Sequence, residues 1–279
     1  MTAPLPDLVS TEWLAANFGG VAVLDATWFL STEKRDAATE YVASHLPGAV
    51  RFDIDVIADR TTHLPHMLPS AAAFATAVAA LGVSNDSRVV VYDRNAMAPA
   101  ARVWWTFRAF GHDAVAVLDG GFAQWTLDRR PVEIGVPKPA PGRFTAEARS
   151  ELVADLPWVE SVMIERSAQI VDARTAGRFR ATEPEPRPGL RGGHIPGSIN
   201  LPFRSLLTER GTLLPVADLR DRFAEAGVDT ARPVIALCGS GVTASLIAFA
   251  LHRIGVPDAA VYDGSWAEWG SLAYTPVET

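Results

Sequence analysis

The chain has 279 residues, of which 48% are hydrophobic and 20% are charged, a composition that is typical of a globular protein and argues against global disorder. Its net charge of −7 provides no basic surface, so we expect neither nucleic acid nor an anionic membrane as a partner. A single cysteine excludes an intrachain disulfide and a zinc site built from several thiolates.

The N-terminal segment has the sequence MTAPLPDLVSTEW, without the basic stretch and the long apolar stretch of a secretory signal. No run of about 18 apolar residues follows, so no transmembrane helix is predicted. We therefore expect a cytoplasmic protein.

Short apolar runs alternate with helical patterns in the first half of the chain. The segments VAVLDAT (Val21–Thr27) and SRVVVYD (Ser87–Asp93) are typical of buried strands. Between them, SAAAFATAVAALG (Ser70–Gly82) predicts a helix that Ser70 caps and that Gly82 ends. Strands and helices in alternation predict α/β units around a parallel sheet.

A segment rich in proline and glycine divides the chain. VEIGVPKPAPGRF (Val132–Phe144) contains three Pro and two Gly, which is typical of an extended linker. We therefore predict one domain at residues 1–135, a linker at 136–150 and a second domain at 151–279.

The second half of the chain repeats the first. Four blocks return in the same order after 144 to 149 residues, which predicts two copies of one domain. The first copies are VAVLDAT, HLPGAVRFD (His45–Asp53), SRVVVYD and VAVLDGGFAQW (Val115–Trp125); the second copies are QIVDART (Gln169–Thr175), HIPGSINLP (His194–Pro202), RPVIALC (Arg232–Cys238) and AAVYDGSWAEW (Ala259–Trp269). Residues kept in both copies, such as His45 with His194 and Asp25 with Asp172, are expected to serve the fold.

The one cysteine stands at the end of a predicted strand. PVIALCGSGVTASLIAFALHR (Pro233–Arg253) predicts a buried strand ending at Leu237 and a helix starting near Thr243. The two glycines of the intervening loop allow successive backbone N–H groups to point into one concavity, and the helix adds its positive end. A sulfur at the base of this cradle should be largely thiolate and therefore a nucleophile.

The matching position of the first copy is Asp93. The sequence after it, RNAMAPAARVWW, is longer and has no glycine, so we expect a cradle in the second copy only. The alternative for Cys238 is the commonest role of a lone cysteine, that of a small buried hydrophobe.

The loop CGSGVT, the two H-x-P-G motifs, the segment DGSWAEW and the tandem arrangement together resemble the two-domain rhodanese superfamily of sulfurtransferases, over about residues 8–275. The loop is similar to that of the family members that use 3-mercaptopyruvate, whereas those that use thiosulfate typically carry CRKGVT. The resemblance implies an α/β fold with two rhodanese domains, each a central parallel sheet flanked by helices. It also implies an active site in the C-terminal copy.

The resemblance further implies roles for individual residues. Arg178 of the GRF motif and Arg187 of the EPEPR motif would bind the substrate, since arginine holds a carboxylate through two hydrogen bonds. The alternative is a solvated basic loop paired with Glu183 and Glu185. The remaining loop residues expected to contact substrate are Gly239, Gly241, Val242 and Thr243.

A proton relay is also implied. In the family, the serine two residues after the nucleophile is proposed to pair with an aspartate and a histidine, and the matching residues here are Ser240, Asp55 and His66. Such a relay could move a proton to or from the substrate. His63 is a competing candidate for the histidine.

The resemblance implies transfer of sulfur from 3-mercaptopyruvate through a Cys238 persulfide to a thiol or cyanide, with release of pyruvate. The expected partners are a small-molecule sulfur donor and a thiol acceptor such as thioredoxin or a low-molecular-weight thiol, and neither a metal nor another cofactor is expected.

Three alternatives stay open. Thiosulfate could be the main donor, and the chain could be a non-catalytic binding or sensor module. A cysteine phosphatase would need Cys-x5-Arg, but residue 244 is alanine.

Overall fold

A computed structural model describes residues 4–256 and 258–279. These residues form two compact units. The first unit contains the described residues up to Asp59 together with Leu68–Arg149 and Glu209–Thr212. The second contains Arg60–Met67, Ser150–Thr208 and the described residues from Leu213 onward. Each unit therefore includes one short segment from the other half of the chain.

The first unit is built on a parallel sheet with the strand order β1-β5-β4-β2-β3. The central strands are short apolar runs that are buried along their whole length, as parallel strands covered on both faces must be. The strands are β1 (Leu8–Val9), β2 (Ala22–Asp25), β3 (Val50–Arg51), β4 (Val89–Tyr92) and β5 (Val115–Leu118). The helices are α1 (Thr11–Asn17), α2 (Ala37–Ala43), α3 (Ala71–Ala80), α4 (Ala98–Ala109) and α5 (Gly121–Leu127).

The second unit repeats this order as β6-β10-β9-β7-β8, again with every neighbouring pair parallel. Its strands are β6 (Val153–Ala154), β7 (Gln169–Asp172), β8 (Ile199–Asn200), β9 (Val234–Leu237) and β10 (Ala260–Tyr262). Its helices are α6 (Leu156–Glu165), α7 (Ala176–Phe179), α8 (Val216–Glu225), α9 (Val242–Arg253) and α10 (Ser265–Trp269). Short 3₁₀ helices cover Phe18–Gly20, Ser31–Glu33, Ser150–Leu152 and Phe203–Leu206. The predicted duplication of an α/β domain is confirmed.

Local signals fixed the ends of individual elements. The helix predicted at Ser70–Gly82 is α3, in which Ser70 Oγ accepts from the N–H of Ala73 at 3.2 Å and Gly82 has a φ of +84°. The strand before the cysteine ends at Leu237 as predicted, and α9 begins at Val242, one residue earlier than predicted.

The repeated histidines hold the same place in each unit. His45 exchanges backbone hydrogen bonds with Glu133, and His194 does so with Glu278. In addition, Nδ1 of His45 lies 3.0 Å from the carbonyl oxygen of Tyr41, and Nδ1 of His194 lies 2.9 Å from that of Phe179. The expectation that these histidines serve the fold is confirmed.

No helix among the described residues is long and apolar enough to cross a bilayer.

Candidate active site

Cys238 occupies the turn between the central strand β9 and the buried helix α9. Its side chain is free and buried. Gly241 caps α9 with a φ of +78°, a conformation that glycine adopts without strain. The first turn of α9 has backbone N–H groups without partners inside the helix, so its positive end follows the cysteine directly.

A buried serine holds this turn in shape. Ser265, the first residue of α10, accepts hydrogen bonds at Oγ from the N–H of Cys238 at 3.2 Å and from that of Gly241 at 3.0 Å. Its own hydroxyl donates to the carbonyl of Tyr262 at 2.7 Å. The backbone at Ser265 has a φ of +50°, in the left-handed region that side chains rarely adopt. Two N–H groups of the turn therefore converge on one fixed oxygen.

The first copy also forms a cradle of backbone N–H groups, and the side chain of Asp93 occupies it. The carboxylate of Asp93 accepts from the N–H groups of Asn95 at 2.7 Å, Met97 at 3.2 Å and Ala100 at 2.7 Å. The expectation that only the second copy has a cradle is therefore wrong. Ala96 and Met97 reach positive φ values of +54° and +60° without being glycine, which the sequence pattern did not reveal.

Both predicted substrate-binding arginines lie against the cysteine loop. A β-carbon added to Gly239 would lie 3.0 Å from Nη2 of Arg178 and 3.6 Å from Nη1 of Arg187. Arg178 is carried by α7, and Arg187 Nη2 donates to Ser240 Oγ at 3.2 Å. The absence of a side chain at residue 239 thus allows two guanidinium groups to approach the residue next to Cys238.

A buried ion-pair chain fixes one of these arginines. Glu185 accepts from Arg178 at 2.6 Å and from Arg174 at 2.8 Å. Arg174 also pairs with Asp172 at 2.6 Å and stacks on the ring of Trp266, 4.1 Å from its centroid. Burial disfavours the charge of Arg174, but its two carboxylate partners hold the pKa of the guanidinium above its ordinary value.

Ser240 lies beside one of the predicted relay residues. His66 belongs to the segment Arg60–Met67 of the second unit, and its Nδ1 lies 3.0 Å from Ser240 Oγ. His66 is buried, whereas the competing His63 is exposed. Asp55 belongs to the first unit, where its Oδ2 accepts from Trp28 Nε1 at 2.9 Å.

The remaining predicted loop residues begin α9. Val242 is buried and Thr243 is partly exposed in its first turn. Within residues 4–256 and 258–279, no group of three or more His, Cys, Asp or Glu side chains is arranged to hold a metal ion.

Two features of the site escaped the sequence analysis. Ser265 supports the turn, and Glu185, which had been considered only as a surface partner, has a side chain that is 2% exposed. The signal for Ser265 was available, because the first copy has DGG where the second has DGS. No comparable signal in the sequence existed for Glu185, since its burial depends on how Arg174 and Arg178 pack around it in the folded chain.

Comparison with known proteins gives a consistent result. A family model described as a rhodanese-like domain matches residues 10–128 and 155–272. The chain is 43% identical to human 3-mercaptopyruvate sulfurtransferase over 270 residues, covering 94% of this chain and 91% of the relative. It is 44% identical to bovine thiosulfate sulfurtransferase over 281 residues, covering 98% and 94%. The crystal structure of SseA from Escherichia coli, described as a 3-mercaptopyruvate sulfotransferase with the rhodanese fold, superposes with a TM-score of 0.86 at 40% identity, covering 93% of this chain and 98% of the other.

Proposed function

Since the chain belongs to the rhodanese-like family, we propose that it is a sulfurtransferase that moves sulfur from 3-mercaptopyruvate to a thiol or cyanide and releases pyruvate. The observation that carries this proposal is the approach of Arg178 and Arg187 to Gly239, one residue from Cys238. Two guanidinium groups beside a loop without charged side chains suit a donor whose carboxylate is separated from its reacting sulfur by other atoms.

The first half of the reaction forms a persulfide. The Cys238 thiolate attacks the sulfur of 3-mercaptopyruvate, and the bond between that sulfur and carbon breaks. The electron pair of the broken bond stays on carbon, giving the enolate of pyruvate, and the proton of the donor thiol is transferred to that carbon. The backbone N–H groups of the turn stabilise the negative charge of the resulting Cys238 persulfide.

Ser240 and His66 supply the path for that proton. Their 3.0 Å contact allows the proton to pass between the hydroxyl and the imidazole. Asp55 is the third residue of the proposed relay, as the family resemblance implies. In the same scheme Gly239, Val242 and Thr243 contact the donor through their backbone. Gly241, also expected to contact it, instead shapes the loop, since its N–H is bound to Ser265 Oγ.

The second half returns the enzyme to its starting state. A thiolate or cyanide attacks the outer sulfur of the persulfide, the sulfur–sulfur bond breaks, and its electron pair returns to Cys238. The products are a new persulfide or thiocyanate, and no metal or other cofactor takes part. We expect thioredoxin or a low-molecular-weight thiol as acceptor. A cytoplasmic location fits this chemistry, because a reducing compartment keeps a lone nucleophilic thiol available.

Thiosulfate is the second candidate donor. The identity to bovine thiosulfate sulfurtransferase supports it, and thiosulfate could pass its outer sulfur to Cys238 with sulfite as the leaving group. Gly239 and Ser240 add no charge to the loop, which favours 3-mercaptopyruvate, because a dianion gains more from a cationic loop.

Steady-state kinetics test the proposal. With cyanide as acceptor, pyruvate and thiocyanate should form in equal amounts, and double-reciprocal plots against either substrate should be parallel, as a covalent intermediate requires. The Cys238→Ser variant is the control and should form neither product. Absence of turnover by the folded wild type with both donors would favour a non-catalytic binding module instead.

A further inference from the structure

Glu185 joins the arginine that approaches the cysteine loop to a buried anchor. Its Oε2 accepts from Arg178 Nη2 at 2.6 Å, and its Oε1 accepts from Arg178 Nε at 3.2 Å. The same Oε1 accepts from Arg174 Nη1 at 2.8 Å. Its side chain is 2% exposed, so water screens these interactions little.

The anchor itself makes several buried contacts. The side chain of Arg174 is fully buried, forms a two-pronged contact with Asp172 and donates to the carbonyl of Gly193 at 2.8 Å. Its guanidinium also stacks on Trp266. Because these contacts define the position of the Arg174 guanidinium, they also define that of the carboxylate it binds, and Glu185 can hold Arg178 in one orientation at Gly239.

Glu185 has a second effect, on charge. Its carboxylate lies against the guanidinium of Arg178 and reduces the positive potential that Arg178 projects toward the loop. The electrostatic attraction between donor and site is proportional to the charge of the donor. A dianionic donor therefore loses about twice as much attraction from this reduction as a monoanionic donor does. 3-Mercaptopyruvate carries one negative charge on its carboxylate, and thiosulfate carries two.

We propose that Glu185 is a positioning residue that determines the choice of donor: it orients Arg178 for a carboxylate and limits the positive charge beside Cys238, so that a monoanionic donor is favoured over a dianionic one. This inference rests on the proposed sulfurtransferase function. It differs from a merely structural role, because a loss of folding alone would affect both donors equally.

The test compares two variants of neighbouring glutamates. Glu185→Gln keeps the shape of the side chain and removes its charge. Glu183→Gln makes the same change in charge two residues earlier, at an exposed side chain whose Oε2 accepts from Thr175 Oγ1 at 2.6 Å. The measured quantity is kcat/KM for 3-mercaptopyruvate divided by kcat/KM for thiosulfate. This ratio does not depend on the fraction of folded enzyme, because both values come from one preparation.

In Glu185→Gln the ratio should fall about tenfold, with kcat/KM for thiosulfate rising and KM for 3-mercaptopyruvate increasing. Thiosulfate turnover of this variant should also become more sensitive to salt. Glu183→Gln should change the ratio by less than about twofold, because an exposed charge is screened.

The inference is overturned if Glu185→Gln keeps the wild-type ratio, or if both variants change it equally. These results leave the sulfurtransferase function intact, since the wild type still turns over. If the wild type transfers sulfur from neither donor, the proposed function fails and the inference fails with it.

Discussion

The hydroxyl of Ser240 interacts with two groups of opposite hydrogen-bonding character. A guanidinium only donates, so Ser240 Oγ accepts from Arg187 at 3.2 Å. The proton of the hydroxyl is then available for His66 Nδ1 at 3.0 Å. In the proposed relay, Ser240 donates this proton to Nδ1 when that nitrogen is the unprotonated one of the ring.

Replacement of His66 should therefore affect one donor selectively. His66→Asn should slow persulfide formation from 3-mercaptopyruvate about 100-fold, because the leaving enolate needs a proton. Formation from thiosulfate should change little, because sulfite leaves without one. Asparagine suits the φ of +63° at this position, so the backbone is expected to keep its conformation.

Rapid-mixing measurements of persulfide formation with each donor check this prediction. His63→Asn is the matched control, since His63 is exposed in the same segment, and it should leave both rates unchanged. Equal slowing with both donors in His66→Asn would argue for a structural role of His66 and against the relay.

At the scale of the element, the two copies use one strand–turn–helix unit in two ways. In the first copy, backbone N–H groups after β4 bind the carboxylate of Asp93. In the second copy, the residue at the same place after β9 is Cys238, and Ser265 holds the turn from outside. The first copy has Gly121 at the position of Ser265, where a β-carbon would lie 2.3 Å from the carbonyl oxygen of Asp93. The two turns therefore need different support.

Removal of the Ser265 hydroxyl should weaken the catalytic turn. Ser265→Gly leaves two buried N–H groups without their acceptor, while glycine relieves the strain of the positive φ. We expect kcat to fall about tenfold, which corresponds to about 1.4 kcal/mol, and the free energy of unfolding to fall as well, because the two lost hydrogen bonds outweigh the relieved strain.

The control for this experiment is Ser245→Ala. Ser245 is also buried, but its hydroxyl donates to the carbonyl of Gly241 and supports no N–H group of the turn. Turnover and thermal unfolding of both variants would be measured. A loss of kcat that is equal in the two variants would contradict the role assigned to Ser265.

The filled cradle of the first copy makes stability depend on pH. Burial raises the pKa of Asp93 from 3.8 to about 6, although three backbone N–H groups oppose this shift. The folded protein therefore binds this proton more tightly than the unfolded chain does. The contribution of Asp93 to stability is greatest at low pH and is lost as pH rises toward and through 6.

Comparison with Asp93→Asn isolates this titration. The free energy of unfolding of the wild type relative to the variant should fall by about 2 kcal/mol between pH 4.5 and pH 7. Urea denaturation at the two pH values gives this difference. A constant difference between wild type and variant would mean that Asp93 has an ordinary pKa.

The sequence predicted those strands and helices whose own residues form a recognisable pattern. The four-residue apolar runs of β4 and β9 and the serine cap of α3 identify themselves without reference to the rest of the chain. The left-handed conformations of Ala96 and Met97 gave no such signal, because neither residue type favours positive φ. For this reason the cradle of the first copy was missed.

At the scale of the whole molecule, the two copies share the same fold but differ in the residues of the cradle. Both sheets have the same strand order, and both repeated histidines bond to a segment near the end of their own unit. Among the differences at the cradle are residue 93 against residue 238 and residue 121 against residue 265. The same strand–turn–helix unit thus holds a buried carboxylate in one copy and a buried thiol in the other.

The contacts that complete the candidate site are long-range, and this limits what the sequence can reveal. His66 lies 174 positions from Ser240 in the chain, within a segment that belongs to the second unit. Family resemblance pointed to the pair, but no periodicity or spacing could. The burial of Arg174 and Glu185 was likewise not evident from local patterns, because Arg174 stacks on the distant Trp266 and Glu185 pairs with Arg174.

The central claim is that Cys238 carries sulfur between donor and acceptor. The most direct measurement is the intact mass of the protein after incubation with 3-mercaptopyruvate and removal of excess donor. We expect a gain of about 32 Da, one sulfur atom, that is absent in Cys238→Ser and is lost on addition of cyanide. An unchanged mass in folded wild-type protein with a titratable thiol, or an equal gain in Cys238→Ser, would contradict it.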